Sequence, residues 1–341
     1  MATDTATGDI EQVVREYRAA LLREELRHME EMAEVWARMS KGLMKDIEGL
    51  SAEVAELAKT GEKIPIGKVH KLDSYKRTLA QVQEQSLAFA DYTAGKVGSL
   101  QEAYGALGLA EGGSVVELAY LNATGDTLAV GMLSDLEAVE ALKAGFAADG
   151  SPLRELMLQK YPEMLDQIED VLESGLLRGL SPKEIAKRLS AATEIPLGNA
   201  LRLARTETLR AYREATRATY EDSGVVTEYK RMATKDSRTC MACIVLDGKV
   251  YPVKQSMGDH PNGRCSMVPI VGGLEPEWQS GVDWFNEQDE DTQKEMLGPK
   301  VFDAWKEESF AIEDLATVTQ DPNWGEQVQR TPLKDLKKDA D

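Results

Sequence analysis

The sequence predicts a mainly α-helical protein that begins with a long helical hairpin and carries a small α+β module resembling a zinc knuckle. Three observations support this fold class. Apolar residues recur in alternating three- and four-residue steps through the first third of the 341-residue chain, aromatic residues make up only 6% of it, and the cysteines all lie within one short stretch. A helical repeat buries one face of a helix, whereas clustered cysteines indicate a local site.

The first third of the chain predicts two long helices. An apolar seam runs from about Ile10 to Leu57, with Ser40 as a weak point in it, and a second helix covers roughly Val69 to Ala106. A turn rich in proline and glycine separates them. We therefore expect a coiled-coil-like helical hairpin within residues 1–112. An ordinary helical bundle and an arm that docks on a larger assembly both fit this pattern.

The rest of the chain divides into three predicted parts. Residues 113–180 form a helical connecting region, residues 181–273 form a core with a Cys/His knuckle, and residues 274–341 form an acidic helical extension. Glycines at Glu111–Ser114 predict the first joint, and Ser134 can begin a connecting helix that runs to about Ala147.

Within the predicted core, local signals place two helices and three short strands. Ser181 caps a first helix, and Asn199 caps a longer one that ends near Asp222. The strands are expected at Val225–Met232, Lys249–Pro252 and Met267–Ile270.

The charge distribution bears on nucleic-acid binding. A net charge of −19 argues against a protein that coats nucleic acid along its whole length. The helix ahead of the cysteines is a local exception, because Leu201 to Arg238 holds nine basic and six acidic residues. The candidate nucleic-acid contacts on this helix are Arg202, Arg210, Arg213 and Arg217. The alternative, which we favour for most of these arginines, is a solvated helix with ion pairs four residues apart.

We expect the protein to lie in a reducing compartment and to have no membrane-spanning helix. The sequence has no apolar run of about eighteen residues, and its polar, acidic start lacks the features of a secretory signal. An odd number of cysteines without such a signal implies a reducing environment. The cysteine pair with CxxC spacing is then metal-bound or redox-active rather than a structural disulfide.

The cysteines and one histidine have the spacing of a small structural zinc site. The candidate ligands are Cys240, Cys243, His260 and Cys265, and a predicted tight turn at Asp247 and Gly248 lies between the two pairs. Thiolates and imidazole suit tetrahedral Zn²⁺, and four protein ligands leave no position for a catalytic water. Reduced, packed cysteines are the main alternative. A redox pair is less favoured, because no strand–helix–strand pattern surrounds it.

A catalytic arrangement is an alternative for part of this stretch. Asp236, Arg238, Asp259 and His260 can be drawn as a hydrolase or nuclease site. No recognised catalytic spacing is present, so we expect no catalytic residue and no enzymatic activity.

Four short strings around the cysteines carry a family resemblance. They are Ala204-Arg205-Thr206-Glu207-Thr208, Asp236-Ser237-Arg238-Thr239-Cys240, Asp247-Gly248 and His260-Pro261-Asn262-Gly263-Arg264-Cys265. In this order they resemble the phage Mu F-like minor head proteins, the head morphogenesis proteins of tailed bacteriophages. Gly263 departs from the pattern, since the family often has a cysteine there. We also expect Arg205 and Glu207 to reach the backbone of the knuckle or Asp236, with surface ion pairing as the alternative.

The resemblance implies a function. It implies a non-enzymatic protein that acts in procapsid assembly at or near the portal and stays in the virion, in the capsid interior or at the portal vertex, after assembly in the host cytoplasm. The implied partners are the portal protein, the scaffold and the major capsid protein, with packaged DNA as a non-specific contact. The alternatives are a zinc-dependent nuclease or hydrolase, a module associated with a toxin, and an accessory DNA-binding protein.

Overall fold

The computed structural model of the chain describes residues 9–59, 65–130, 153–276, 278–321 and 325–336. Over these residues the protein is mainly helical with a small sheet region, as predicted. The predicted helix from Ser134 to Ala147 lies outside the described residues. None of the described helices is both long enough and apolar enough to span a bilayer.

The secondary-structure elements follow one another along the chain. The helices are α1 (Ile10–Met39), α2 (Lys41–Ala58), α3 (Ile66–Val69), α4 (Asp73–Thr124), α5 (Leu153–Leu158), α6 (Tyr161–Arg178), α7 (Pro182–Thr193), α8 (Ile195–Asp222), α9 (Met241–Val245), α10 (Gly281–Asn286), α11 (Glu290–Leu297), α12 (Pro299–Lys306) and α13 (Leu333–Leu336). The strands are β1 (Val226–Met232), β2 (Val250–Pro252), β3 (Ser266–Val271), β4 (Ala316–Asp321) and β5 (Gly325–Arg330).

The chain divides into two compact units. One, here called the bundle unit, comprises Glu25–Val97 and Ser151–Arg205, and the other, the cysteine unit, comprises Met1–Glu24, Gly98–Gly150 and Thr206–Asp341. Helices α1, α4 and α8 each contribute residues to both units.

The bundle unit is held together by an apolar core from α2, α4, α6 and α7. Its buried residues include Ile47, Leu50, Val82, Ile168, Leu172, Ile185 and Leu189. Helices α6 and α7 approach closely at Gly175, where an added Cβ would lie 2.9 Å from the Ile185 side chain. The predicted start of α7 is confirmed, because the Ser181 hydroxyl accepts a hydrogen bond from the Glu184 N–H.

Two sequence signals in the bundle unit had different outcomes. The weak point at Ser40 is a real break, since α1 ends at Met39 and α2 begins at Lys41. The predicted cap at Asn199 is wrong, because α8 begins four residues earlier, at Ile195. The Asn199 side chain instead donates to the carbonyl groups of Leu156 and Met157 at 3.0 and 3.1 Å, where α5 ends. It therefore satisfies the end of another helix rather than the start of its own.

In the cysteine unit, α4 and α8 pack with their backbones in close approach. A Cβ at Gly108 would lie 2.4 Å from the Tyr212 carbonyl oxygen, and one at Gly112 would lie 3.3 Å from the Thr216 Cα. The predicted joint at Glu111–Ser114 is therefore wrong, since α4 continues through it. Gly112 in this stretch, together with Gly108 one turn earlier, allows the helices to pack closely and does not end α4.

The three expected strands are confirmed and form an antiparallel sheet in the order β2-β1-β3. Tyr229 in the central strand pairs with Tyr251 on one side and Pro269 on the other. Tyr229 is fully buried, and its ring stacks on that of Tyr251 with centroids 5.5 Å apart. This sheet supports the loops that carry the cysteines.

The acidic extension is more finely divided than expected. Three short helices, α10 to α12, lie in its first part, and Gly298, with φ of 75°, separates α11 from α12, which begins at Pro299. Strands β4 and β5 then form an antiparallel hairpin that the sequence analysis did not predict. Phe285, Leu297 and Phe302 share an apolar cluster with Met241 and Ile244 of α9. The acidic extension therefore packs directly on residues 236–265, here called the cysteine segment.

Candidate metal centre

The candidate site lies beside the three-stranded sheet. Cys240 is the residue before α9, and Cys243 follows one turn later within that helix. His260 lies in the loop between β2 and β3, and Cys265 immediately precedes β3. Helix α9 thus carries one half of the predicted ligand set, and the loop between β2 and β3 carries the other half.

The four predicted ligands converge on Cys243. Its sulfur lies 3.2 Å from His260 Nε2, and the neighbouring Cys240 and Cys265 thiols raise the pKa of the Cys243 thiol. Around a tetrahedral zinc ion, sulfur and nitrogen ligands would lie about 3.6 Å apart. His260 Nδ1 lies 2.9 Å from the Pro261 carbonyl oxygen, which orients the ring with Nε2 towards the sulfur atoms. The donor types and the ring orientation therefore fit a zinc site.

The same contacts determine the ionisation of these groups. Hydrogen bonding to Cys243, assisted by His260, lowers the pKa of the Cys240 thiol to about 4. Burial opposes the charged form of His260, but its hydrogen bond to Cys240 and the charge of Asp259 raise the pKa of its imidazole to about 9. Without a metal, Cys240 and His260 form a thiolate–imidazolium pair.

Arg231, which the sequence analysis did not select, is central to the site. It lies in β1 with a fully buried side chain. Its Nη2 atom lies 3.3 Å from Cys265 Sγ, 3.5 Å from Cys243 Sγ and 3.1 Å from Asp259 Oδ1. These sulfur distances suit N–H groups that donate to metal ligands from outside the coordination sphere. The sequence carries no signal for this role, because a buried ion pair has no sequence pattern.

Asp259 joins two arginines in a buried network. Arg213 Nη1 lies 3.2 Å from Asp259 Oδ2, and Arg231 contacts the other carboxylate oxygen. Among the described residues, the ligand atoms that lie within 4.8 Å of one another belong to Cys243, Asp259 and Cys265, so this group holds two of the four predicted ligands and adds Asp259 as a potential one. Burial alone would raise the pKa of Asp259, but the two guanidinium groups outweigh that effect and lower it.

Asp236 closes the turn that precedes Cys240. Its carboxylate accepts two hydrogen bonds from Arg264, at 2.7 and 2.8 Å, one from the Thr239 hydroxyl and one from the Arg238 N–H. Burial opposes ionisation, but these hydrogen bonds lower the pKa of Asp236 to about 2. The Arg238 side chain is exposed, so its contribution to the turn comes from its backbone.

Asp247 and Gly248 form the turn predicted between the ligand pairs, and they anchor Trp278. The Asp247 carboxylate is buried and accepts from the Ala233 N–H at 2.6 Å, from Lys235 at 3.0 Å and from the Trp278 indole at 3.0 Å. Gly248 has φ of 84°, and a Cβ there would lie 2.8 Å from the indole nitrogen. Glycine is needed both for this backbone conformation and for the contact with Trp278.

The Arg205-Thr206-Glu207 string contacts several parts of the protein. The Thr206 hydroxyl accepts a 3.1 Å hydrogen bond from the Asn262 N–H, at a residue with φ of 66°. Arg205 pairs with Glu25 within the bundle unit. Glu207 is fully buried and accepts from Arg210 at 2.6 Å. Thr206 thus supplies a direct contact to the cysteine loop, which we had expected from Arg205 and Glu207.

The arginines considered for nucleic-acid contact also have protein partners. Arg202 donates to Asn199, Arg210 pairs with Glu207, and Arg217 pairs with Glu214 and Glu221. Arg213 is 8% exposed and holds Asp259, so its predicted role at a nucleic-acid surface is corrected to a structural one. The expected pair four residues apart is confirmed for Arg217 and Glu221.

Comparison with known proteins supports the motif resemblance. Residues 166–268 match the family described as Phage Mu protein F like protein, which confirms the resemblance over that segment. A curated protein of Enterococcus faecalis (strain ATCC 700802 / V583), named NAD(+)--arginine ADP-ribosyltransferase EFV, is 29% identical over 168 residues. The match covers 43% of this chain and 33% of that protein, so the chain spans about a third of the length of that relative. No solved structure matches the chain.

Proposed function

We propose that this chain, whose residues 166–268 match the Phage Mu protein F like family, is a head morphogenesis protein of a tailed bacteriophage. The family match carries the proposal, and the matched segment contains the complete cysteine site together with the arginine, aspartate and threonine contacts around it. In this proposal the segment is a structural module and the protein is not an enzyme.

The proposed place of action is the procapsid, at or near the portal. The portal protein is the first partner, with scaffold and major capsid protein as further partners, and the mature protein lies in the capsid interior or at the portal vertex. The long helices of residues 1–112 supply the docking arm in this proposal. Their length supports it, since 40 of the 52 residues of α4 lie within this range (73 to 112) and extend about 60 Å at 1.5 Å per residue.

Sedimentation with isolated portal rings tests this function. The purified chain is expected to move with the rings in a density gradient and to be recovered from assembled heads in a fixed ratio to portal protein. Bovine serum albumin of matched concentration serves as the control for trapping. Failure to sediment with portal, scaffold or capsid protein, together with absence from purified virions, would overturn the proposal.

The second part of the proposal is a structural zinc ion held by Cys240, Cys243, His260 and Cys265. Zinc would join α9 to the loop before β3 as a cross-link with no open position for a substrate. The convergence of these side chains on Cys243 supports it, as does the hydrogen bond that orients His260.

Metal analysis tests the zinc site. The protein purified in zinc-containing medium is expected to hold about one equivalent of zinc, and a chelator is expected to lower its melting temperature. Cys243→Ser should lose the metal, whereas Asp303→Asn, at an exposed position on α12, should keep it. Zinc-free protein whose melting temperature does not respond to chelator would contradict the site.

A toxin-associated module is the second candidate function. The partial similarity to a protein named as an arginine ADP-ribosyltransferase supports it, and the shared part can be a module without transferase activity. Incubation with labelled NAD⁺ and an arginine-containing acceptor tests the catalytic form. Label transfer would overturn the non-enzymatic proposal. A nuclease or hydrolase would instead show metal-dependent cleavage that His260→Ala abolishes.

An accessory DNA-binding role has less support. Arg213 is buried, and the other three arginines of the candidate set have protein partners. Such a role predicts an affinity for DNA that falls steeply with salt concentration, which filter binding would measure.

A further inference from the structure

Asp259 is a buried carboxylate with an unusual number of charged neighbours. Its side chain is 3% exposed and contacts Arg213 at 3.2 Å and Arg231 at 3.1 Å. The His260 N–H donates to it at 2.9 Å, and the Cys243 sulfur lies 3.8 Å away. The Asp259 carboxylate thus contacts two arginines, the backbone of the proposed ligand His260 and the sulfur of the proposed ligand Cys243.

Gly263 provides the space for this carboxylate. A Cβ added at Gly263 would lie 2.1 Å from the Asp259 Cγ and 2.1 to 2.2 Å from its two oxygen atoms. Any side chain at position 263 therefore competes with Asp259 for the same volume. Arg213 holds both partners, since its Nη1 also donates to the Gly263 carbonyl oxygen at 3.3 Å.

The charge balance explains why an anion is required here. Three thiolates, a neutral imidazole and Zn²⁺ carry a net charge of minus one, and the two buried guanidinium groups bring the total to plus one. The carboxylate of Asp259 returns it to zero. Without that carboxylate, Arg231 would rely on the sulfur atoms of Cys243 and Cys265 as counter-ions, and it would oppose a second cation beside them.

We propose that Asp259 is a positioning residue for the zinc site: its carboxylate balances the charge of Arg231 and Arg213 beside the sulfur atoms and fixes the backbone at His260. This inference rests on the zinc site of the proposed function. Removal of a partner that orients metal ligands lowers metal affinity by about 10- to 100-fold. Asp259 is expected to have an effect of this size.

Zinc titration against a chromophoric chelator tests the inference. Asp259→Asn keeps the shape of the side chain and removes its charge, so zinc should bind about 10- to 100-fold more weakly than to the unmodified chain. The matched control is Asp303→Asn, which makes the same charge change on an exposed helix and should bind zinc like the unmodified chain. Circular dichroism checks that each variant folds.

A second pair of variants moves the carboxylate. Asp259→Gly should bind zinc weakly, and Asp259→Gly combined with Gly263→Asp should recover part of the affinity, because the side chain at 263 grows into the vacated space. The d–d absorption of the cobalt-loaded protein should return towards that of the unmodified chain in the double variant. If Asp259→Asn does not fold, the comparison of the single and double variants tests whether the carboxylate raises the affinity for zinc.

The outcomes separate this inference from the zinc site itself. If the unmodified chain binds no zinc, the zinc site and the inference both fail. If the unmodified chain binds zinc and Asp259→Asn binds it equally well, only the inference fails. A double variant that binds no more tightly than Asp259→Gly would also overturn it, because the anion at this place would then have no influence on the metal.

Discussion

The bond between Asp236 and Arg264 gives a quantitative prediction about stability and pH. Two parallel hydrogen bonds of 2.7 and 2.8 Å join the turn before Cys240 to the residue before Cys265. This pair therefore ties the two ends of the cysteine segment together without any metal. Asp236→Asn removes the charge and keeps the size of the side chain.

The magnitude follows from the pKa of Asp236. The folded protein holds it at about 2, against 3.8 for the free side chain, and that difference is worth roughly 2.5 kcal/mol at about 1.4 kcal/mol per pH unit. Because the Asp236 side chain is 34% exposed, solvent screening reduces this to about 1 kcal/mol. A lowered folded pKa means that the contribution is complete above pH 4 and disappears as the pH falls from 4 to 2.

Urea unfolding at several pH values, with a chelator present, measures the effect. At pH 7 the variant should be less stable than the unmodified chain by about 1 kcal/mol, and the difference should shrink towards zero near pH 2. Taking the difference between two proteins at each pH cancels the titration of other groups. Asp303→Asn should show no such convergence. A difference that is absent at pH 7, or that does not change between pH 5 and pH 2, would refute the reasoning.

Three further substitutions test the packing. Gly108→Ala should destabilise the protein by about 1–3 kcal/mol, because its Cβ would lie 2.4 Å from a carbonyl oxygen. The control Gly98→Ala, in the same helix, meets nothing within 4 Å and should stabilise the protein by up to about 1 kcal/mol. Equal melting temperatures of the two variants would contradict the close approach of the helices. Gly248→Ala should cost about 1–3 kcal/mol in chemical unfolding because it strains the backbone and displaces Trp278; an unchanged midpoint would argue against that anchor. Arg205→Ala should lower the melting temperature, because Glu25, which is 2% exposed, loses this arginine as a partner. Arg205→Lys should restore part of the loss. An unchanged melting temperature in Arg205→Ala would exclude a structural role for Arg205.

Local sequence signals predicted those features that depend on neighbouring residues. The cap at Ser181 and the end of α8 near Asp222 are set by side chains within a few positions, and both were found where expected. The three strands of the cysteine unit were also predicted from short alternating or apolar runs. Such signals work because capping and strand formation are decided over one or two turns of chain.

Glycines and polar residues with distant partners were the main source of error. Glu111–Ser114 has the composition of a loop, but Gly112 allows contact with α8, about a hundred positions further along the chain. Asn199 has the composition of a cap, but its partners are carbonyl groups at the end of α5. A tertiary partner can override a local preference, and a single sequence does not reveal that partner.

The candidate site shows the same division. The cysteines and His260 were recognisable because metal ligands have characteristic spacing. Arg231 and Asp259 were not, since a buried ion pair has no sequence pattern and an arginine on a strand is usually exposed. Asp259 had been considered only as part of a catalytic arrangement, and the structure places it instead between two arginines.

The cysteine segment is thus tied to its surroundings by three carboxylates, each with a different set of partners. Asp236 holds Arg264, Asp247 holds Lys235 and Trp278, and Asp259 holds Arg213 and Arg231. Because these ties involve α8, β1 and the start of the acidic extension, we expect them to keep the loops in place without a metal. A zinc ion at the four ligands would add a fourth tie to a module that is already ordered. Chelation should therefore lower the melting temperature while leaving the helical content of the protein unchanged at 25 °C, in contrast to small zinc domains that unfold without their metal.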